Sequence, residues 1–206
     1  MRFIELSHTL SPGTPTLPDA RPLALELVRT LAADGYNAYK LTSALHTGTH
    51  IDMPMHLVDD GRTAADFPPD CFAGRGVLLD VRGQDEIAMD ARYEAMVTPG
   101  DIALLYTGFD ERYGYEEYFT KHPVVSQALA DFFVSRRVKL VGMDLPAPDY
   151  APYAIHKTLL GNDIFVLENL TNLSALLDAR EFEVMALPLR LTAEASFVRA
   201  VCRMEE

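Results

Sequence analysis

Apolar runs rich in β-branched and aromatic residues recur along the chain at positions 3–6, 23–28, 36–45, 76–81, 101–107, 138–143, 164–167, 182–191 and 197–202. Pro- and Gly-rich joints such as Ser11-Pro-Gly-Thr-Pro and Phe67-Pro-Pro separate them, a pattern that predicts strands. The period changes over one stretch. Val125, Leu129, Phe132 and Phe133 recur at helical spacing after Pro123, which predicts a helix over 124–137 feeding directly into the strand at 138–143. A second, shorter helix is expected at 172–178. The whole reads as a strand-rich α/β fold. No repeat, low-complexity tract or Ser/Gly linker divides it, so a single domain over 1–206 is expected.

Composition narrows the function more than the fold. The 206 residues are 49% hydrophobic and 23% charged, as in ordinary soluble globular proteins. A formal charge of −12 repels nucleic acid and anionic membrane surfaces, so neither is expected as a partner. A small-molecule substrate is not excluded, because a bound metal dominates its local field. The opening stretch MRFIELSHTLSPGTP lacks the apolar core of a signal peptide, and no apolar run is long enough to span a bilayer, so a cytoplasmic location is expected. Cys71 and Cys202 are the only cysteines, too few for a disulfide framework or a Cys-rich zinc site. Any metal must be held by nitrogen and oxygen.

Those ligands are concentrated in His46-Thr-Gly-Thr-His50-Ile-Asp52-Met-Pro-Met-His56, which holds three of the six histidines. Imidazole and carboxylate suit zinc, manganese or iron, and a spare histidine beside them can move protons. Gly48, the two threonines and Pro54 disfavour a helix here. In an extended segment His50 and Asp52 share a face with Ile51 opposite, and a turn at Gly48 can bring His46 round. A further ligand must come from elsewhere. The candidates are His156, in the Pro- and Tyr-rich loop Asp149-Tyr-Ala-Pro-Tyr-Ala-Ile-His156, and Glu168, closing the strand at 164–167. His8 and His122 lack such context, and His122 reads as a surface residue before the helix. Thr47 and Thr49 are either hydroxyls that orient ligands or structural β-branched residues. Asp144, at a strand end, is expected to orient a ligand or a backbone turn. Phe67, Phe72, Phe109, Tyr150 and Tyr153 are candidates for an apolar slot, or else core.

The pattern His46-x-Gly48-Thr49-His50-x-Asp52-x-Pro54-x-His56 resembles the signature of the cyclase-like metal-dependent hydrolases, which include bacterial kynurenine formamidases and isatin hydrolases. His156-Lys-Thr-Leu-Leu-Gly161 and Glu168-Asn-Leu-Thr-Asn-Leu173 resemble the family's second metal segment. Gly142-Met-Asp144, Tyr118-Phe-Thr-Lys-His122-Pro123, Thr107-Gly108 and Leu187-Pro-Leu189 extend the likeness over nearly the whole chain. The resemblance implies a swivelling β/β/α fold. It assigns His46, His50 and Asp52 to one divalent metal, Asp52, His156 and Glu168 to a second, and proton transfer to His56. It further implies one or two ions per subunit, zinc or alternatively manganese, and a homodimer or homotetramer. The activity implied is hydrolysis of a C–N bond in a small amide, formamide or cyclic amide. A lactone or ester hydrolase, or a metal-binding protein without catalysis, are the alternatives. Two departures stand out. The family's substrate-contacting tryptophan segment reads Thr16-Leu17-Pro18-Asp19 here, in a chain without tryptophan, and its C-terminal Asp-Gly-Ser-Pro reads Glu194-Ala-Ser-Phe197.

Overall fold

Ile102 and Leu104 turn to one side of their strand, Ala103 and Leu105 to the other, and all four are fully buried. A strand covered on both faces belongs in the middle of a sheet. The computed structural model, which describes residues 1–17 and 20–205, places it there. The strands are β1 (Arg2–Glu5), β2 (Ala24–Arg29), β3 (Ala38–Thr42), β4 (His50–Asp52), β5 (Ala73–Asp80), β6 (Glu86–Ile87), β7 (Ile102–Tyr106), β8 (Val124–Val125), β9 (Leu140–Met143), β10 (Phe165–Glu168), β11 (Phe182–Met185), β12 (Ala195–Phe197) and β13 (Val201–Met204). Helices α1 (Leu31–Asp34), α2 (Tyr93–Met96), α3 (Glu116–Thr120), α4 (Gln127–Arg136) and α5 (Ala154–Leu160) are short.

Nine strands form one sheet in the order β1-β13-β11-β5-β7-β9-β10-β4-β12. Its centre, β5-β7-β9-β10, is parallel and its flanks are antiparallel. The sheet curls: just past β1, Ser7 bridges to Leu170, just past β10. One core cluster lies between the sheet and helices α4 and α5, and includes Leu79, Leu105, Val141, Val166, Leu129 and Leu159. The other fills the inside of the curl, with Ile51, Leu104, Leu140, Leu167, Val184 and Cys202. Gly142 permits this closeness, because a Cβ there would meet Leu104 Cδ2 at 2.7 Å.

The strand-rich α/β reading agrees with this architecture, and several boundaries differ. Val124 and Val125 leave the expected helix and pair with β6 as β8. The helix begins at Gln127, where Ser126 Oγ accepts from the Leu129 amide at 3.3 Å as an N-cap. The segment at 172–178 is only a 3-10 turn, Leu173–Leu176, entered through Asn172 in the left-handed region. The run at 182–191 is strand only to Met185; beyond it Pro188 makes only an isolated bridge to Val198. The run at 197–202 straddles two strands with different partners: β12 pairs with β4, and β13 with β1 and β11.

Candidate metal centre

Short as it is, β4 sets the site. It pairs antiparallel with β10 so that His50 faces Glu168 directly and Asp52 faces Val166. Opposed residues share a face of the sheet, here the one covered by α5, while Ile51 enters the opposite core. Just upstream Gly48 has φ +66, a left-handed turn that doubles the chain back on itself. His46 Nδ1 then lies 3.1 Å from both His50 Nε2 and Asp52 Oδ1. From α5, His156 Nε2 reaches Glu168 Oε1 at 3.0 Å and Asp52 Oδ2 at 3.7 Å, and His50 Nε2 lies 3.2 Å from Glu168 Oε2. His56, in the 3-10 turn Pro54–His56, stands aside with its ring 4.3 Å from that of His46 and 6.1 Å from that of His156.

His156 therefore sits on a helix, not in a loop. Asp149 explains the difference: its Oδ2 accepts from the Ile155 amide at 2.7 Å, starting α5, and its Oδ1 accepts from His156 Nδ1 at 2.6 Å. The second bond commits Nδ1 as a donor, so Nε2, which faces Asp52 and Glu168, is the nitrogen that a metal would take on displacing its proton. For His50 the Gly48 carbonyl does the same, accepting from Nδ1 at 2.8 Å. Asn169 donates to that carbonyl at 3.0 Å and accepts from the Tyr118 hydroxyl at 3.0 Å. Asp149 and Asn169 were not singled out in the sequence, although each flanks a candidate ligand segment.

Two triads emerge, His46-His50-Asp52 and Asp52-His156-Glu168, each with its ligand atoms within 4.8 Å of one another and Asp52 common to both. The carboxylate of Asp52 is buried and, among the described residues, neither oxygen has a hydrogen-bond partner; the imidazoles approach without hydrogen-bond geometry. The carboxylate's only compensation among the described residues is the set of imidazole nitrogens of His46, His50 and His156 at 3.1, 3.5 and 3.7 Å. A divalent cation would bond these nitrogen and oxygen donors directly, so the residues fit one. The electrostatics agree. Burial disfavours charge on His50 and His156, yet the surrounding carboxylates outweigh it and push their pKa values up to about 9 and about 12. Burial also opposes the charge on Asp52, and the imidazoles of His156, His46 and His50 hold it well below the usual carboxylate range. His56 differs: burial lowers its pKa and favours the neutral, proton-accepting ring.

The remaining candidates sort by contact. Thr49 Oγ1 donates to the Asn169 carbonyl at 2.6 Å and accepts from the His8 amide at 2.9 Å, tying the motif to its neighbours. The Thr47 hydroxyl is buried without a partner among the described residues. Asp144 orients a backbone turn, accepting from the Thr107 hydroxyl and from the Thr107 and Gly108 amides. His122 is buried rather than on the surface, because its ring stacks on Tyr150 at 4.2 Å. Phe67 and Phe72 pack on Phe165 and Phe109 on Tyr118, so none of the three lines the site. Tyr150 and Tyr153 do, with Phe119 and Leu17, around a cavity of about 370 Å³ that opens onto the histidines. Pro18 and Asp19 of the departing N-terminal segment lie outside the described residues. At the other departure Glu194 Oε1 comes 3.5 Å from His46 Nε2.

Comparison with known proteins gives the same grouping. The family model described as putative cyclase matches residues 4–150. The kynurenine formamidase of Bacillus cytotoxicus is 31% identical over 98% of this chain and 97% of its own length. Isatin hydrolase A from Ralstonia solanacearum superposes with a TM-score of 0.87 at 23% identity, over 99% of this chain and 92% of that one. The same enzyme from Labrenzia aggregata, solved bound to benzyl benzoate, gives a TM-score of 0.87 at 22% identity, over 100% and 94%. At these identities the two structures establish the shared fold, and the family match and the formamidase establish descent: the chain belongs to the cyclase family of metal-dependent hydrolases.

Proposed function

We propose that this chain is a metal-dependent amidohydrolase that cleaves the C–N bond of a small aryl formamide or cyclic amide. The observation that carries the reading is the convergence of His46, His50, His156 and Glu168 on the buried Asp52 carboxylate, which has no hydrogen-bond partner among the described residues. In this reading the first three hold one divalent ion, and Asp52, His156 and Glu168 hold a second, with zinc favoured and manganese the alternative. The bound ion supplies Lewis acidity, which lowers the pKa of water and polarises a carbonyl. The chain's own residues do the rest. Asp149 and the Gly48 carbonyl hold two imidazoles in their working tautomers. His56, neutral and beside the cavity, takes a proton from the attacking water and returns it to the leaving nitrogen. The water oxygen ends on the acyl carbon and the C–N bond breaks; the nitrogen departs as an amine from a formamide and stays tethered as one when the amide is cyclic.

The cavity against the ligands favours catalysis over a purely structural metal, since structural sites close themselves with protein donors. The relatives named kynurenine formamidase support amide cleavage over ester or lactone cleavage. A homodimer is supported by the β2–β3 hairpin, where Leu27 faces Tyr39 and Leu25 faces Leu41, and Leu27, Tyr39 and Leu41 are all exposed. Two free cysteines suit a cytoplasmic setting.

The test is His56→Ala. Bound metal, read by elemental analysis, should remain while turnover of N-formylkynurenine, isatin and simple lactones falls about 10²–10⁴-fold on whichever is the substrate. Loss of metal together with activity would make His56 a ligand and break the proposed division of labour.

A further inference from the structure

Each imidazole of the two triads has one nitrogen facing the other ligands and one spare, and whatever holds the spare nitrogen decides how the ring stands. For His156 the spare nitrogen is Nδ1, held by Asp149 at 2.6 Å. For His50 it is again Nδ1, held by the Gly48 carbonyl at 2.8 Å. His46 is turned the other way. Its Nδ1 faces the cluster, 3.1 Å from both His50 Nε2 and Asp52 Oδ1, so Nε2 is the spare. Beside that nitrogen stands Glu194, with Oε1 3.5 Å away.

His46 needs such a holder more than the other two do. His50 stands on β4 and His156 on α5, whereas His46 lies in the turn ahead of Gly48. Its side chain is 23% exposed, where those of His50 and His156 are 1% and 4%. Glu194, in contrast, comes from a fixed place. The Met53 amide donates to its carbonyl at 2.9 Å, and the next residue, Ala195, faces Asp52 across the β12–β4 pair. One strand therefore sets both the carboxylate common to the triads and the backbone of the residue that reaches His46. The Glu194 side chain is 40% exposed, so as an ion pair it adds little to stability. What it supplies is direction. An Nε2–H aimed at a carboxylate leaves Nδ1 as the nitrogen with a lone pair to give.

We infer that Glu194 is a positioning residue: by accepting from His46 Nε2 it commits His46 Nδ1 to the ion of the His46-His50-Asp52 triad. This rests on the metal assignment proposed above, and the experiment separates the two. Long-range proton–nitrogen correlation spectra of the zinc-loaded full chain show which nitrogen of each histidine ring carries a proton and which a metal. Competition against a chelator gives the affinity for zinc. In the parent, His46 should carry its proton on Nε2 and zinc on Nδ1. Glu194→Ala, at a half-exposed side chain, should fold as the parent does, weaken the zinc bound at His46 about tenfold and spare that bound at His156. The single His46 tautomer should be lost with it. Glu194→Gln keeps an oxygen that accepts from Nε2–H, so it should retain the tautomer and stay within about threefold of the parental affinity. Parental affinity and tautomer in Glu194→Ala would overturn the inference. So would zinc on His46 Nε2, equal weakening of both ions, or a Glu194→Gln as weak as Glu194→Ala, since the last two mark an effect of charge rather than of the bond. Zinc that leaves the His46 ring untouched in the parent would sink the metal assignment and the inference with it; the other contrary results strike the inference alone.

Discussion

Asp149 shows how much of this site is decided by single side chains that do not themselves face the triads' centre. Its two oxygens start a helix and fix an imidazole tautomer together. Asp149→Ala is accordingly expected to weaken metal binding about 10–100-fold, read by competition against a chelator, since partners of this kind tune ligands strongly. An affinity equal to that of the parent would show that His156 keeps its orientation without help. The same residues tie affinity to pH. In chelator-treated protein the carboxylates raise His50 to about 9 and His156 to about 12, so both imidazoles are protonated at neutral pH. A cation must displace those protons. Binding should release protons and strengthen as pH rises from about 6 towards about 9, by up to about tenfold per unit for each proton displaced. Calorimetry in buffers of different ionisation enthalpy measures the number released; zero protons and a flat pH dependence would contradict the electrostatics.

At the scale of elements, the histidine motif depends on a turn and a three-residue strand. Gly48 holds φ +66, and a Cβ there would meet Leu10 Cδ2 at 2.5 Å. The Leu10 tip can move aside, whereas the backbone cannot, so Gly48→Ala should cost about 1–2 kcal/mol in chemical denaturation and loosen His46. An unchanged midpoint and unchanged metal affinity would show that the turn tolerates a side chain. Elements were legible in the sequence where one local signal governed them. The alternation His50-Ile51-Asp52 marked an extended segment, though not one of the expected strands, and the spacing of Leu129, Phe132 and Phe133 marked α4. They were illegible where a contact from outside the segment decided. Prolines and tyrosines before Ala154 read as loop, because the bond from Asp149 that begins α5 leaves no mark in periodicity. Val124 and Val125 read as helix because their pairing with β6 is long-range.

For the whole molecule, the curled sheet is the device that gathers the site. Glu168 lies at the carboxyl end of β10 and Asp144 directly follows β9, so the parallel centre offers its carboxyl edge, where ligands of such sheets bind. The antiparallel β4 then lays His50 and Asp52 beside that edge. None of this order could be read from a single chain, because strand pairing is set by packing between distant segments; Gly142, squeezed between Leu104 and Leu170, is one such case. The residue types at the site were legible, and their convergence was a matter of topology. The most direct measurement of that convergence is an anomalous difference map from crystals grown with zinc or manganese and no chelator. Density is expected at roughly 2.0–2.2 Å from His46, His50 and Asp52, with a second peak, where occupied, against His156 and Glu168. Metal bound elsewhere on the chain, or none at saturating concentration, would contradict it.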